Sequence, residues 1–544
     1  IGAGPTGLTA ALALAQHGVP VRLIERDAAF HQMSRGSGVH ARTVEMFRLL
    51  GVHPAFARTA AHHPPTRAYA LPEGRRVVRE WHILEEPVIT PDRPYVHLQG
   101  HAMISQFQTQ GILRAELEKY GVRVELGVEL VGLEQREGEV VATVRRVGAV
   151  EEQIHAAYVV GADGAKGKWT ARASRPTRKA IGAKFEGETQ DGAGAVWAEA
   201  DVEGEGITTE YWHMWSKPGE AAVSMRPKGS APGYHIGLIG LSFDPIGLDE
   251  SPEKFIEAVH NLTGRKDLVF KDLHTLMYWR PSVRMVDKMS EGRVFIAGDA
   301  AHVHPPTGGQ GLNTGILDAM NLAWKLALAY RGHASATLLA SYEAERLPVI
   351  LQMLMTTSGF WKDAGKGGDF QWQNAALTQL EVNYRWSAAV RDRRGPSAAD
   401  EDMKALAYAG YGREAGVRAG DRAPEVAGLV DGTGAETSLY ALLKSTEHTV
   451  LVRAGGDGEQ VVDVVKAVEA LPAGTAQVVI VGQERTPSAM WGATRVYHDK
   501  EGWVERGYGG RDAPCVVVVR PDGYVGAMVD GGAGVGDYFA NIML

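Results

Sequence analysis

The opening residues, Ile1-Gly-Ala-Gly-Pro-Thr-Gly7, restrict the fold of this chain more than any other stretch. They place Gly2-x-Gly4-x-x-Gly7 before an Ala/Leu-rich helical run, Leu8 to His17, that stops at Gly18, and Val19 to Ile24 then reads as a short apolar strand ending at Glu25. In such a turn Gly2 allows the tight bend, Gly4 lets backbone N–H groups approach a pyrophosphate, and Gly7 allows close helix–strand packing. Glu25 is placed to accept hydrogen bonds from a ribose diol, and an acid there suits FAD or NAD better than a 2′-phosphorylated nucleotide. With 66 glycines in the chain, GxGxxG alone is weak; the helix, the strand and Glu25 at the right distance turn it into a dinucleotide fingerprint. Pro5 at the helix start and Arg26 beside Glu25 join the candidate binding set. A turn of this kind normally follows a buried strand, and only Ile1 precedes it, so a few upstream residues of V-x-I-V type are expected.

The length, 544 residues, allows two to four domains. A hydrophobic fraction of 44% beside 22% charged residues is the balance of a soluble globular protein. Net charge is −8 with no long basic block, which excludes nucleic acid as an expected partner. The single Cys515 excludes a disulfide framework, a cysteine zinc cluster and a CxxC pair, and suits a reducing, cytoplasmic setting. No apolar run of about twenty residues predicts a membrane span, and no signal peptide is visible.

A second glycine-rich loop, Gly298-Asp-Ala-Ala-His-Val-His-Pro-Pro-Thr-Gly-Gly-Gln-Gly-Leu-Asn313, follows the short strand Val294 to Ile296 and leads into a helix. Asp299 stands where a carboxylate binds a polyol chain. The glycines leave N–H groups and a positive dipole end free to hold an anion, such as the N1–C2 region of a reduced flavin. Two glycine-rich helix starts in one chain suit the two ends of one long dinucleotide. Between them, Phe185 to Leu241 alternates like an antiparallel sheet with turns at Gly204, Gly219 and Gly233. Tyr211, His213, Arg226, Tyr234 and His235 are its candidate pocket residues; Tyr211 and His213 share one face, Trp212 and Met214 the other. His302 and His304 lack the partners of a metal site, so no metal is expected.

With these motifs in hand the chain resembles the group A aromatic hydroxylases, FAD-dependent monooxygenases. The fingerprint with Glu25, Asp163-Gly164, and Gly298-Asp299 followed by Pro305-Pro-Thr-Gly-Gly-Gln-Gly-Leu-Asn313 carry the resemblance, extended by Asp318 to Lys325 and Tyr342 to Pro348. It covers nearly the whole chain. It implies FAD as resident cofactor, NADPH or NADH as transient electron donor, O2 as co-substrate and a small phenolic substrate, hydroxylated through a flavin C4a-hydroperoxide. The substrate expected is a 4-hydroxybenzoate-type or polyketide phenol, with loss of carboxylate within the range of the family. The resemblance places Arg42 near the FAD pyrophosphate, Gln106 at the ribityl–phosphate region, Asp163 and Asp299 on FAD, and Leu312 and Asn313, with Gly309 and Gly311, at the flavin C2 carbonyl. Pro306 is put beside the substrate ring. The family pattern after Asp163 is interrupted by an insertion from Lys166 onward, with Arg178 the candidate for the displaced arginine. Baeyer–Villiger or epoxidising chemistry on the same scaffold, and a non-catalytic FAD-binding protein, are the alternatives.

The implied architecture is α/β: a Rossmann-type FAD-binding domain with an inserted antiparallel substrate sheet, as in p-hydroxybenzoate hydroxylase, and a C-terminal thioredoxin-like domain. The expected boundaries are 1–185 (with part of the substrate layer, about 55–105), 186–284 for the substrate sheet, 285–390 for the second part of the FAD domain, 391–420 as linker, and 421–544 for a thioredoxin-like unit lacking CxxC, suited to a structural or homodimer-forming role.

Overall fold

The computed structural model describes residues 1–31, 36–82, 102–146, 150–165, 176–189, 191–229, 232–305, 307–366, 378–395, 404–408, 416–454, 458–482, 495–509 and 515–544. Helix α1 (Pro5–Gln16) begins with a proline at its first position, where the missing N–H costs nothing. It ends in a Gly18 turn with φ +72°, whose N–H and that of Val19 reach back to Ala15 and Leu14. Strand β1 (Leu23–Glu25) follows, then α2 (Ala41–Leu49). Strands β2 (Thr66–Tyr69) and β3 (Val77–Trp81) leave for the substrate layer. Helix α3 (Gln106–Glu118) follows. Ser105 accepts from the Gln108 N–H while Gln108 reaches back, a capping box worth about 1 kcal/mol.

Strand β4 (Val124–Leu126) runs parallel to β1; Ile1 donates to the Val160 carbonyl of β5 (Val159–Gly161) and accepts from the Ala162 N–H, while Gly2 donates to Ile24 of β1, so Ile1 and Gly2 lie between β1 and β5. The substrate layer continues with β6 (Gly194–Glu203), β7 (Trp212–Lys217), β8 (Ala221–Pro227) and β9 (Tyr234–Gly240), then α4 (Pro252–Thr263) and β10 (Val269–Trp279). The seven strands stand in the order β10-β6-β9-β8-β7-β2-β3. Both sides of this sheet are covered. Phe255 and Val259 of α4 pack on Tyr69, Trp215, Val223, Met225, Tyr234, Ile236 and Leu238, while Ala195, Ala222 and Ile239 pack on Trp361 from the opposite side.

Strand β11 (Val294–Ile296) pairs in parallel with β5 and delivers the second glycine loop to α5 (Gln310–Tyr330). Helix α6 (Ala336–Gly365) passes through Pro348. The C-terminal unit contains β12 (His448–Ala454), α7 (Gly458–Glu469), β13 (Ala476–Gly482), β14 (Arg495–Asp499), β15 (Val516–Val519), β16 (Val525–Val529) and α8 (Gly531–Ile542). Its core strands are ordered β16-β15-β12-β13-β14, with β12 and β13 parallel and β15 antiparallel to both β12 and β16. Among the described residues no helix is long and apolar enough to cross a membrane.

Candidate active site

The first turn separates its three glycines by what surrounds them. A Cβ on Gly2 would lie 2.3 Å from the Ala162 carbonyl oxygen, and one on Gly7 only 1.9 Å from that of Gly2. Beside Gly4 there is nothing within 4 Å. Gly2 and Gly7 are therefore required by packing, and Gly4 faces open space at the N-terminus of α1, where N–H groups and the helix dipole would suit a diphosphate. The Glu25 carboxylate accepts from the backbone N–H groups of Ala3 (2.8 Å) and Asp27 (3.1 Å), which fix it at the rim of the turn.

The second loop is built on a buried charge junction. Asp318 on α5 accepts from the Gly298 N–H (2.9 Å) and from Arg346 Nε (2.7 Å), and its Oδ2 lies 2.8 Å from His302 Nε2; all three side chains are fully buried. Burial alone would raise the Asp318 pKa, but Arg346 and His302 outweigh it and leave the carboxyl at about 2. The junction sets Gly298 (φ +62°) against Thr6 of α1, so the two glycine turns touch, and it leaves Asp299 exposed between buried neighbours. At the α5 N-terminus Gly308 and Gly309 both have positive φ. Asn313 donates to the carbonyls of Gly309 (2.8 Å) and Gly38 (3.0 Å) and accepts from the His40 N–H (2.8 Å). His40 Nε2 donates to Gly308 (2.9 Å), and burial lowers its pKa to about 4, so the latch is neutral. His304 is buried with Nδ1 on the Pro305 carbonyl (2.6 Å) and no partner for Nε2, which faces the Gly311 backbone. An open N-terminus at Gly4, an exposed Asp299 and the unbonded Nε2 of His304 at the α5 turn fit the diphosphate, polyol and ring ends of FAD.

Strand alternation and packing decide which sheet face meets this loop. Arg226 donates to Ser37 Oγ, next to the Gly38 held by Asn313. On the same face lie Trp212, whose Nε1 donates to Ser224 (2.6 Å), and His235, the cross-strand neighbour of Arg226, stacked on Trp197 at 5.4 Å between centroids. The His63 ring is 5.2 Å from that of Trp212. Burial draws the Arg226 pKa down to about 10, and its Nε has no acceptor. His63, buried beside the Arg226 charge, is lowered to about 4, and His235 to about 3 for the same reasons.

A family model described as "FAD binding domain" matches residues 1–357. Over 556 aligned residues, spanning 100% of this chain and 99% of the relative, the chain is 32% identical to a flavin-dependent monooxygenase of Mycobacteroides abscessus. The chain belongs to the FAD-dependent monooxygenases of the aromatic hydroxylase group. It is also 27% identical to pentachlorophenol 4-monooxygenase of Sphingobium chlorophenolicum, over 97% of this chain and 92% of the relative. The solved structure of aklavinone-11 hydroxylase with FAD and aklavinone superposes with a TM-score of 0.77 at 25% identity, covering 99% of this chain and 97% of the other.

In this monooxygenase several sequence candidates stand elsewhere than expected. Arg42 is not at the pyrophosphate turn. Its fully buried guanidinium donates to Glu45 (2.6 Å), Tyr440 (2.9 Å) and the Asp522 carbonyl (2.7 Å), and it lies 4.5 Å over the Tyr524 ring, so its donors hold the C-terminal unit. Tyr211, His213 and Tyr234 are on the α4 side of the sheet, turned from the flavin loop. His213 is buried with Nδ1 2.7 Å from Tyr69 OH and Nε2 2.8 Å from the Thr208 carbonyl, Tyr211 lies under Arg67, and burial in the α4 core pushes Tyr234 up to about 12. Asp163 accepts from Thr177 Oγ1 (2.9 Å). Arg178 donates to the carbonyls of Ala300 (2.8 Å) and Ala165 (3.1 Å), tying the two motif loops together. Gln106 is half-buried at the first turn of α3, Arg26 is half-buried beside Asp27, and Leu312 packs near Gly36. Pro306 and the insertion 166–175 lie outside the described residues. His40, Ser37 and His63 escaped sequence reading because none belongs to a spaced motif.

Proposed function

We propose that this monooxygenase hydroxylates a phenol that it binds as an anion, with Arg226 holding the negative charge. The observation that carries this reading is the half-buried Arg226 on the loop-facing side of the sheet, whose enclosed Nε has no hydrogen-bond partner among the described residues and whose pKa is drawn down by desolvation. A buried cation without a counter-charge is unfavourable, and a phenolate or a substrate carboxylate relieves it. A positive charge beside the phenol also lowers its pKa and favours the electron-rich ring that hydroxylation needs. His63 donates from Nδ1 to the Pro64 carbonyl (3.2 Å), which leaves its Nε2 lone pair to accept a hydrogen bond from the phenol hydroxyl and orient it beside Arg226. Trp212 and Trp197 wall the space and exclude water. FAD, bound along the two glycine turns and reduced by NADPH or NADH, supplies the oxygen activation.

The test is turnover by FAD-loaded wild type and Arg226→Ala with a panel of phenols and 4-hydroxybenzoates, following nicotinamide oxidation and oxygen uptake. Loss of a buried charge pair of roughly 2–5 kcal/mol lowers kcat/KM for anionic phenols by at least about thirtyfold. Equal turnover of neutral ketones or alkenes in both proteins would favour Baeyer–Villiger or epoxidising chemistry. Absence of reduction by either nucleotide would overturn the hydroxylase reading.

We also read the C-terminal unit, from about residue 421, as thioredoxin-like. The parallel β12-α7-β13 unit followed by the β15–β16 hairpin and α8 supports this. Its lone Cys515, half-buried with its thiol pushed up by burial, suits a structural role.

A further inference from the structure

The C-terminal ends of α1 and α5 meet the C-terminal unit at a polar cleft of about 260 Å³. Twelve residues of α1 and twenty-one of α5 separate it from the two glycine turns, roughly 18 and 31 Å at the α-helical rise. His17, Arg331 and His333 line it from the helix ends, and Thr446, Glu447 and Thr475 from the loops before β12 and β13. It is separate from every residue assigned above to FAD or substrate.

Two observations point to a ligand. His17 is only 7% exposed, yet among the described residues neither of its ring nitrogens makes a well-formed hydrogen bond, the Ser445 carbonyl being its nearest backbone acceptor. Burying an imidazole in that state is unfavourable unless something else satisfies it. Arg331 donates one N–H to the His17 carbonyl and forms no ion pair among the described residues. The acid opposite, Glu447, is already paired with Lys444, so the cleft keeps a net positive charge. Two helix C-termini would by themselves favour a cation. Here their last carbonyls are largely taken: Gly18 and Val19 donate to Ala15 and Leu14, Gly332 and His333 to Ala329 and Leu328, and Arg331 covers His17.

We propose that this cleft binds a small oxyanion, a phosphate group, held by Arg331 with ring N–H groups of His17 and His333 and the hydroxyls of Thr446 and Thr475. Its volume falls just under the range of about 300–1,000 Å³ typical of drug-sized ligands, which fits a phosphate or pyrophosphate with a short organic tail and excludes a dinucleotide. Three of the donor residues, His17, Arg331 and His333, stand at the ends of α1 and α5 and two, Thr446 and Thr475, in the C-terminal unit, so the occupant braces the far ends of the cofactor-holding helices against that unit.

Calorimetric titration and thermal unfolding of the FAD-loaded full chain test this, with inorganic phosphate, pyrophosphate and adenosine monophosphate as probes and chloride at equal ionic strength as control. The expected result is saturable binding of at least one probe and a concentration-dependent rise in Tm. Both are lost in Arg331→Gln, while its flavin spectrum and its Tm without anion match wild type. His333→Ala serves as the second variant and weakens the same probe. Preference for the nucleotide over inorganic phosphate supports the site and identifies a carried phosphate. Binding of none of the three, or equal binding by wild type and both variants, overturns the proposal.

Discussion

At the scale of single residues, the position of Asp299 depends on a side chain that touches no ligand. Asp318 holds the Gly298 N–H, His302 and Arg346 inside the protein, and Arg346 also donates to Tyr384 (2.8 Å). Removing one member leaves a buried charge without its partner, which typically costs about 3–5 kcal/mol. Arg346→Met is therefore expected to lower Tm and weaken FAD binding, with Arg226 and the sheet unaffected; fluorescence titration of released FAD measures it. The same junction has a pH signature. The Asp318 carboxyl is depressed to about 2 against an unfolded value near 3.9, so its contribution is complete above pH 4 and lost as pH falls towards 2. In Asp318→Asn the acid limb of the stability curve between pH 4 and 2 should be shallower than in wild type. A curve of unchanged slope would show that another acid dominates there.

At the scale of elements, the two helix N-termini differ in which glycine serves packing and which faces open space. A methyl group on Gly7 has no room, because its Cβ would meet the Gly2 carbonyl at 1.9 Å, whereas Gly4 faces empty space. Gly7→Ala is expected to give little folded protein. Gly4→Ala should fold with near wild-type Tm in the FAD-free form yet bind FAD at least tenfold more weakly, read by equilibrium titration. Tight FAD binding by Gly4→Ala would place the diphosphate elsewhere. The spacing of the fingerprint was legible in the sequence because each glycine acts within a few residues of its partners. The face of β7 was not legible. Alternation separates Tyr211 and His213 from Trp212 and Met214, but α4 buries one side of this sheet and Trp361 the other, so hydrophobicity carries no sign of which side meets the flavin loop.

At the scale of the whole molecule, the residues hardest to read were those whose partners lie hundreds of positions away. The family resemblance puts Arg42 at the cofactor pyrophosphate; its partners Tyr440 and Asp522 are 398 and 480 residues distant. The same long-range chemistry joins α5 and α6 to the C-terminal unit. Glu345 accepts from Arg520 (2.8 and 2.9 Å), Lys325 (2.8 Å), Asn321 (2.6 Å) and Ser387 (2.7 Å), and Arg520 also holds Asp522 (3.0 Å from Nε). Glu345, Lys325 and Arg520 are wholly buried, and the four charges balance. Such a cluster adds little net stability over an apolar one, but it demands that every member be present. Glu345→Gln leaves an excess buried positive charge, and a loss of about 3–5 kcal/mol is expected at this interface. Lys325→Met in the same background restores the balance, so the double variant should recover part of that loss, a coupling that a double-mutant cycle measures. Scanning calorimetry is the appropriate readout, because a chain of several units need not unfold in one step. The wild-type FAD-loaded protein should show the C-terminal unit melting with the rest, Glu345→Gln should split off a lower transition, and the double variant should bring the two back together. If Glu345→Gln still melts in one transition at the wild-type Tm, the units are joined by their apolar contacts and the ion cluster contributes only alignment.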